Sequence, residues 1–320
     1  MKTAVTCLCA VWALAAGLTG AAALDYPTRT IRMVVPYAAG GPTDLAARKV
    51  AELLAARLGQ SVVIENQGGG GGTPGTAAVA AATPDGYTLL VGATGPLVVS
   101  PSIRKLTYDV NEDLKPIAEI WRSSQLLAVN PKLGVKSVAE FLVFAKKNAG
   151  KITVGTAGNG TLPHLLMVLM NREIGIQLVH VPYRGTAAVL PNVLGGQIDA
   201  IIGDVAVIAP SVKSGSLVAL AVTAPERSSL LPDVPTMSES GHPSLVAESW
   251  YGLMAPAAVP DTVMKKLVPA VQASLRDPSF QAALQKQGAR VVATSPETFG
   301  AHITDETKKW GPVARAAGLQ

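Results

Sequence analysis

From Asp25 onward the apolar positions alternate in a repeating way: a short β-branched run, a loop of glycine and hydroxyl residues, then apolar side chains every three or four positions. Ile31 to Pro36 reads as a strand, Tyr37 to Pro42 as a loop, and Thr43 as the N-cap of a helix reaching about Leu58, where Gly59 stops it. Leu45, Val50, Leu53, Leu54 and Leu58 gather on one side of that helix, while Arg48, Lys49, Glu52 and Arg57 hold much of the other. It therefore packs by one face on a sheet. Ser61 to Glu65 is the next strand, followed by the Gly68 to Gly72 run, a short helix near Thr76 to Ala82, a Pro84-Asp85-Gly86 turn and a strand at Tyr87 to Val91.

After a looser stretch the pattern restarts. Leu126 to Asn130 reads as extended, Val138 to Asn148 as a helix, Ile152 to Gly155 as a strand, Thr161 to Ile174 as a helix and Gln177 to Val181 as a strand. Thr186 to Leu194 is a helix closed by Gly195, and Ile198 to Gly203 and Leu217 to Val222 are strands. Helical patterns return at Thr262 to Leu275, Ser279 to Gln287 and Pro296 to Ala316. Strands separated by helices at this spacing predict an α/β fold of mostly parallel sheets flanked by helices. Two lobes connected near residues 115 to 128 and 224 to 255 account for the order: residues 24–122 with 250–320 in one, 123–249 in the other.

The first residues change the picture. Lys2 precedes an uncharged, mostly apolar stretch that ends in Ala21, Ala22 and Ala23 before Asp25. That is the order of a secretory signal peptide, and it predicts an exported chain cleaved near Ala23. The run is also long enough to anchor in a bilayer, but Gly17, Thr19 and Gly20 and the lack of a basic stop favour cleavage. Cleavage removes Cys7 and Cys9, the only 2 cysteines. The remainder can form no disulfide, thiolate metal site or cysteine nucleophile.

At 320 residues the chain has length for about two domains. With 48% apolar and 15% charged residues it has the composition of a folded protein. A net charge of +5, with 4% aromatics and no basic run, is a poor footprint for a nucleic-acid partner.

Enzyme signatures are missing. Gly70-x-Gly72-x-x-Gly75 imitates a dinucleotide fingerprint, but Pro74 interrupts it and the next strand ends in Gly92-Ala93-Thr94 with no acidic residue for a ribose. There is no phosphate-binding Gly-Lys-Ser/Thr loop, no G-x-S-x-G elbow and no H-E-x-x-H; His164, His180, His242 and His302 are widely spaced. The expectation is a binding protein with no cofactor and no metal.

Four loops instead combine glycines, hydroxyls and a helix start: Tyr37 to Thr43, Gly68 to Gly75, Gly155 to Thr161, and Tyr183 to Thr186. All follow strand ends, where open parallel sheets bind ligands and where unpaired helix N–H groups attract an anion. Thr43, Thr161 and Thr186 can cap their helices or bind the guest. His164 can aim an N–H at a carboxylate or pack; Arg184 can neutralise an anion or lie on the surface. Asp204 has the wrong sign for an anion unless it accepts from a ligand hydroxyl or ammonium, or orients a partner. Tyr37 and Trp250 are pocket walls or buried aromatics.

An ordered set of motifs runs through the chain: Tyr26-Pro27-x-Arg29, Gly40-Gly41-x-Thr43-Asp44, Glu65-Asn66-Gln67, Asp85-Gly86-Tyr87-Thr88-Leu89, Tyr108-Asp109, Thr156-x-Gly158-x-Gly160-Thr161-x-x-His164, Val181-Pro182-Tyr183-Arg184-Gly185, Leu194-Gly195-Gly196-Gln197-x-Asp199 and Trp250-Tyr251-Gly252. Together they resemble the Bug or TctC family, periplasmic solute-binding proteins of tripartite tricarboxylate transporters, over nearly all of residues 25 to 320. The resemblance implies a two-lobed flytrap of the periplasmic-binding type II class that captures a small carboxylate and serves membrane permease subunits; a monomer is expected. Family members hold the carboxylate through main-chain groups and ordered waters of two glycine loops. Joined with the residue reading, this gives a candidate site of Tyr37, Ala39, Gly40, Gly41, Thr43, Gly70, Gly71, Gly72, Thr94, Thr156, Gly160, Thr161, His164, Arg184, Asp204 and Trp250. Gly70 stands where the family commonly has Ala, and Thr94-Gly95-Pro96 is a less usual third loop, so the distal pocket is left open. An exported α/β enzyme acting on a small acid, or a ligand-sensing module for a membrane kinase, are the alternatives.

Overall fold

The computed structural model describes residues 25–318; the leader expected over residues 1–23 lies outside them. Strands β1 (Ile31–Val35), β2 (Val62–Asn66) and β3 (Thr88–Ala93) pair in parallel in the order β2-β1-β3, with helices α1 (Pro42–Leu58) and α2 (Thr73–Ala80) between them in sequence. Strands covered on both faces need continuous apolar runs, and Met33, Val34 and Val35 are all fully buried. A helical turn over Gly95–Val99 leads into α3 (Ser100–Ile103) and then the 16-residue strand β4 (Leu114–Val129).

A second parallel block follows: α4 (Val138–Lys147), β5 (Ile152–Thr156), α5 (Leu162–Ile174), β6 (Leu178–Pro182), α6 (Thr186–Gly195) and β7 (Ala200–Asp204), in the order β7-β5-β6. Helix α7 (Val205–Lys213) and strands β8 (Val218–Val222) and β9 (Glu248–Pro256) come next. The chain ends with α8 (Asp261–Leu275), α9 (Pro278–Gln285), β10 (Ala289–Val291) and α10 (Pro296–Ala316).

The sheet is mixed, with less parallel character than the sequence pattern suggests. Its five antiparallel ladders all involve β4 or β9. From Leu114 to Ser124 β4 pairs with β9, and residues 121–123 also meet β10; from Gln125 to Val129 it pairs with β7 and β8. One strand thus belongs to two sheets and changes partners at Ser124 and Gln125. Thr223 fastens the change-over: its N–H donates to Gln125 O at 2.9 Å, the Gln125 N–H donates to its Oγ1 at 3.1 Å, and its hydroxyl donates to Ala247 O at 2.7 Å.

Helix α10 closes the first sheet. Phe299 is fully buried against Gly252 of β9, where a Cβ would fall 2.0 Å from the ring, so only glycine admits the helix at this depth. Burying a phenylalanine is worth about 1.5–3 kcal/mol.

Candidate functional site

The β1–α1 loop is shaped by one carboxylate. Asp44 accepts from the Gly40 N–H, Arg48 Nε and Asn66 Nδ2, each at 2.9 Å, and Asn66 Nδ2 also donates to Tyr37 O at 3.2 Å. Burial works against the Asp44 charge, but the bonds from Arg48, Gly40 and Asn66 outweigh it and hold the carboxyl below its ordinary value. Gly40 has a left-handed φ of +80°, which lets the loop turn back onto its helix.

The helices behind the glycine loops begin without side-chain caps. Gly41 stands at the N-cap of α1, Gly72 of α2, Thr161 of α5, Gly185 of α6 and Asp204 of α7, and none accepts a capping bond. Ser137, Asp277 and Ser295 cap α4, α9 and α10. The expected capping by Thr43, Thr161 and Thr186 is therefore corrected. Thr43 lies inside the first turn of α1 with its hydroxyl bonded to Tyr251, Thr161 Oγ1 donates to Gly158 O at 2.7 Å, and Thr186 Oγ1 donates to Asp204 Oδ2 at 3.4 Å. Open N–H groups and the positive end of each helix dipole remain available to an anion.

These loops converge. A Cβ on Gly95 would lie 3.1 Å from Gly71 O, 3.7 Å from Gly160 O and 3.9 Å from Tyr37 Oη; one on Gly71 would lie 3.8 Å from Asn159 O. Thr94, which precedes Gly95, is 3% exposed, and its Oγ1 has no hydrogen-bond partner. A buried hydroxyl without a partner is costly and points to a group that binds there. Ala39, Gly40 and Gly70 lie exposed on the loops, and Gly72 is buried under Pro36 and Pro96. From outside, Arg104 Nη2 donates to Gly70 O and Thr73 Oγ1, both at 3.1 Å, and the Tyr108 hydroxyl donates to Pro96 O at 2.7 Å.

Tyr37, Tyr251 and Asp204 are half-buried, the two phenol rings meet edge to face at 6.5 Å, and the Asp204 carboxyl is near enough to act on both; the space they share is the recess behind the loops. Asp204 Oδ1 accepts from Gln125 Nε2 at 3.1 Å and Ser123 Oγ at 3.3 Å. Gln125 Nε2 also donates to Ser249 Oγ at 3.0 Å. Burial raises the Asp204 carboxyl, offset in part by Gln125, Ser123 and Thr186. Burial, then the proximity of Asp204, raises both tyrosines, which stay protonated as donors.

His164 is 5% exposed, and its Nδ1 accepts from the Gly160 N–H at 3.3 Å. Its ring stacks on His180 at 3.7 Å, and His180 Nε2 meets Thr156 Oγ1 at 2.6 Å. Burial, and then for His164 its neighbour His180, lowers both imidazoles to about 4. His164 therefore braces the glycine loop as a neutral acceptor and uses the Gly160 N–H itself; Thr156 is engaged by His180.

One expected site residue lies elsewhere, and another is exposed beside the Gly155 to Thr161 loop. Trp250 is 1% exposed, donates its indole N–H to Glu306 at 2.9 Å and packs against Phe299 and His302. It belongs to the core under α10, and its neighbour Tyr251 faces the recess, as strand alternation requires. Arg184 is exposed on the loop after β6 and makes no ion pair among the described residues. Tyr251, Gln125, Ser123 and Ser249 are the members that sequence reading missed. A surface groove of about 670 Å³ between the 104–113 loop and α10 includes none of the expected site residues. Among the described residues no helix is long and apolar enough to cross a membrane, and no group of three or more His, Cys, Asp or Glu could hold a metal.

Comparisons with known proteins agree with this architecture. Residues 46–319 match the model of the tripartite tricarboxylate transporter family receptor, TctC. Protein BugT of Bordetella pertussis is 34% identical over 308 residues, covering 95% of this chain and 94% of that protein. Rpa4515 of R. palustris, solved with adipate, superposes with a TM-score of 0.84 at 32% identity over 92% of this chain and 98% of its own. MatC of Rhodopseudomonas palustris, solved with bound malate, gives a TM-score of 0.82 at 32% identity over 90% of this chain and all of its own. The chain belongs to the family its ordered motifs resemble, the receptors of tripartite tricarboxylate transporters.

Proposed function

We propose that this protein is a periplasmic receptor that captures a small carboxylate between two lobes and delivers it to the membrane subunits of a tripartite tricarboxylate-type permease. Residues 24–122 and 250–320 make one lobe and 123–249 the other, with β4 and β9 as the linking strands. The leader directs export and is cleaved near Ala23, and the receptor works as a monomer. The observation that carries the reading is the meeting at Gly95 of the Tyr37, Gly71 and Gly160 loops, whose helices start without side-chain caps, next to Thr94 with its unpartnered hydroxyl. The ligands named for Rpa4515 and MatC, adipate and malate, are of the same chemical class.

An anion that bridges donors on two lobes binds the closed form more tightly and shifts the population toward it. Closure then offers the permease one composite surface. The test is calorimetric titration of the leaderless chain with mono-, di- and tricarboxylates, acidic amino acids and aromatic acids. Gly41→Val and Thr161→Val are measured beside it. Gly41 has a φ of −77° and a Cβ there meets only Ala38 O at 3.6 Å, so valine fits the backbone and its methyl groups crowd the α1 N–H groups. Binding by the wild type and at least tenfold weaker binding by both variants are expected. Unchanged affinity in both refutes the two-lobed cleft.

A further inference from the structure

Asp204 occupies the N-cap of α7, where an aspartate ordinarily folds back to accept the second or third N–H of its helix. It makes no such bond and turns its carboxyl toward the recess walled by Tyr37 and Tyr251. Its hydrogen-bonding capacity is not filled there. Oδ1 takes two neutral donors, while Oδ2 takes only the Thr186 hydroxyl at 3.4 Å, long for an O–H to oxygen bond. No Lys, Arg or His among the described residues donates to it, and the one arginine expected nearby, Arg184, is exposed.

A carboxylate guest held by helix N–H groups would therefore lie near a second carboxyl to which no cation is bonded. Two like charges in such a site are strongly unfavourable unless a donor or a proton stands between them. The glycine loops answer the guest's carboxylate, Tyr251 is bonded to Thr43 and Ser249, and no tyrosine hydroxyl donates to Asp204 among the described residues, so the open side of Oδ2 is left for a donor on the rest of the guest.

We propose that Asp204 is the specificity determinant of the cleft, selecting small carboxylates that also carry a hydrogen-bond donor, an ammonium or a hydroxyl group, over plain acids of the same skeleton. This rests on the carboxylate-receptor reading above. A site built around a buried acceptor rejects an analogue that lacks the matching donor, because the acceptor is then left unpaired.

The experiment is isothermal titration at pH 7 with two matched triads: succinate, malate and aspartate; glutarate, 2-hydroxyglutarate and glutamate. In the wild type, a donor-bearing acid binds at least tenfold more tightly than the plain diacid of its triad. In Asp204→Asn that ratio collapses toward one. The ammonium acid loses most, since an amide oxygen still accepts from a hydroxyl but does not neutralise an ammonium. The wild-type ratio needs no variant, so it stands as a test even if Asp204→Asn fails to fold. Equal binding of the plain diacid by the wild type, or an unchanged ratio in a folded Asp204→Asn, overturns the inference. Equally tight binding of the plain diacid with uptake of one proton, read from heats in buffers of different ionisation enthalpy, makes Asp204 a proton acceptor. That result overturns the donor reading and leaves the receptor reading intact. Silence from every acid, in a chain that unfolds cooperatively, removes the receptor reading and this inference with it.

Discussion

Replacing Asp44 by alanine should weaken ligand binding more than its cost in stability explains. The Asp44 side chain is 2% exposed and gathers three donors, two of which, Gly40 and Asn66, fix where the Tyr37 to Gly41 loop runs. A hydrogen bond to a charged group contributes about 1.5–3 kcal/mol, and a donor that water can reach recovers part of that. Gly40 is exposed and the Arg48 side chain is 52% exposed, so water serves both after truncation, whereas Asn66 is half-buried. The loss falls at the low end, about 3 kcal/mol in all. With a melting entropy of about 2.1 cal/mol/K per residue, that lowers Tm by about 5 °C in a chain of this size. The same change frees the loop that presents the open N–H groups of α1, so affinity for a carboxylate falls at least tenfold. Leu275→Ala is the control: Leu275 is fully buried in α8, outside the four glycine loops, and its truncation costs about 3 kcal/mol. Calorimetric Kd values and melting curves are compared for the two variants. If Asp44→Ala and Leu275→Ala lose equal stability and bind equally well, Asp44 does not preorganise the loop and the argument fails.

Thr94→Val should leave the ligand-free protein as stable as the wild type or up to about 1 kcal/mol more so, because it removes an unpartnered buried hydroxyl. It should still bind carboxylates less tightly, and loss of stability without loss of affinity in paired melts and titrations would contradict that role. The stacked histidines set an acid limit: both sit at about 4 when folded against 6.5 ordinarily, so the unfolded chain takes up protons first as pH falls. Their contribution is complete above pH 6.5 and is lost down to about pH 4, at up to about 1.4 kcal/mol per pH unit for His164 and less for half-buried His180, which water screens. His180→Gln should flatten the fall in Tm between pH 6.5 and 4.5, and matching slopes in variant and wild type would show that the pair does not titrate as described.

How far the sequence reveals this architecture depends on whether a residue's reason is local. The two parallel blocks are legible because strands such as Ile31–Val35 and Ile152–Thr156 are short runs rich in β-branched residues between helices with one apolar face. The part of β4 before Leu126 is not. Glu119, Arg122, Ser123 and Gln125 break the apolar run that marks a strand, and each is polar for a reason the fold alone supplies. Glu119 pairs with Arg122, while Ser123 and Gln125 hold Asp204 from another part of the chain. In β9 the choice between Trp250 and Tyr251 likewise turns on which face looks inward, and α10, more than 40 residues further on, decides it by taking Trp250.

The helix starts carry the deeper lesson. A threonine after a glycine loop reads as a cap, because local chemistry cannot distinguish a hydroxyl that folds back on its own helix from one drawn to a distant partner. Away from the recess, α4, α9 and α10 take the serine or aspartate that satisfies their first N–H groups, Ser137, Asp277 and Ser295, while α8 begins uncapped at Pro260. Three helices at the recess, α1, α2 and α6, place Gly41, Gly72 and Gly185 there instead. Glycine is only a few tenths of a kcal/mol worse than serine or aspartate at an N-cap, yet it leaves the N–H groups open to a guest. The binding chemistry is thus written less in the residues that donate than in side chains withheld from the positions where a cap would compete with the ligand.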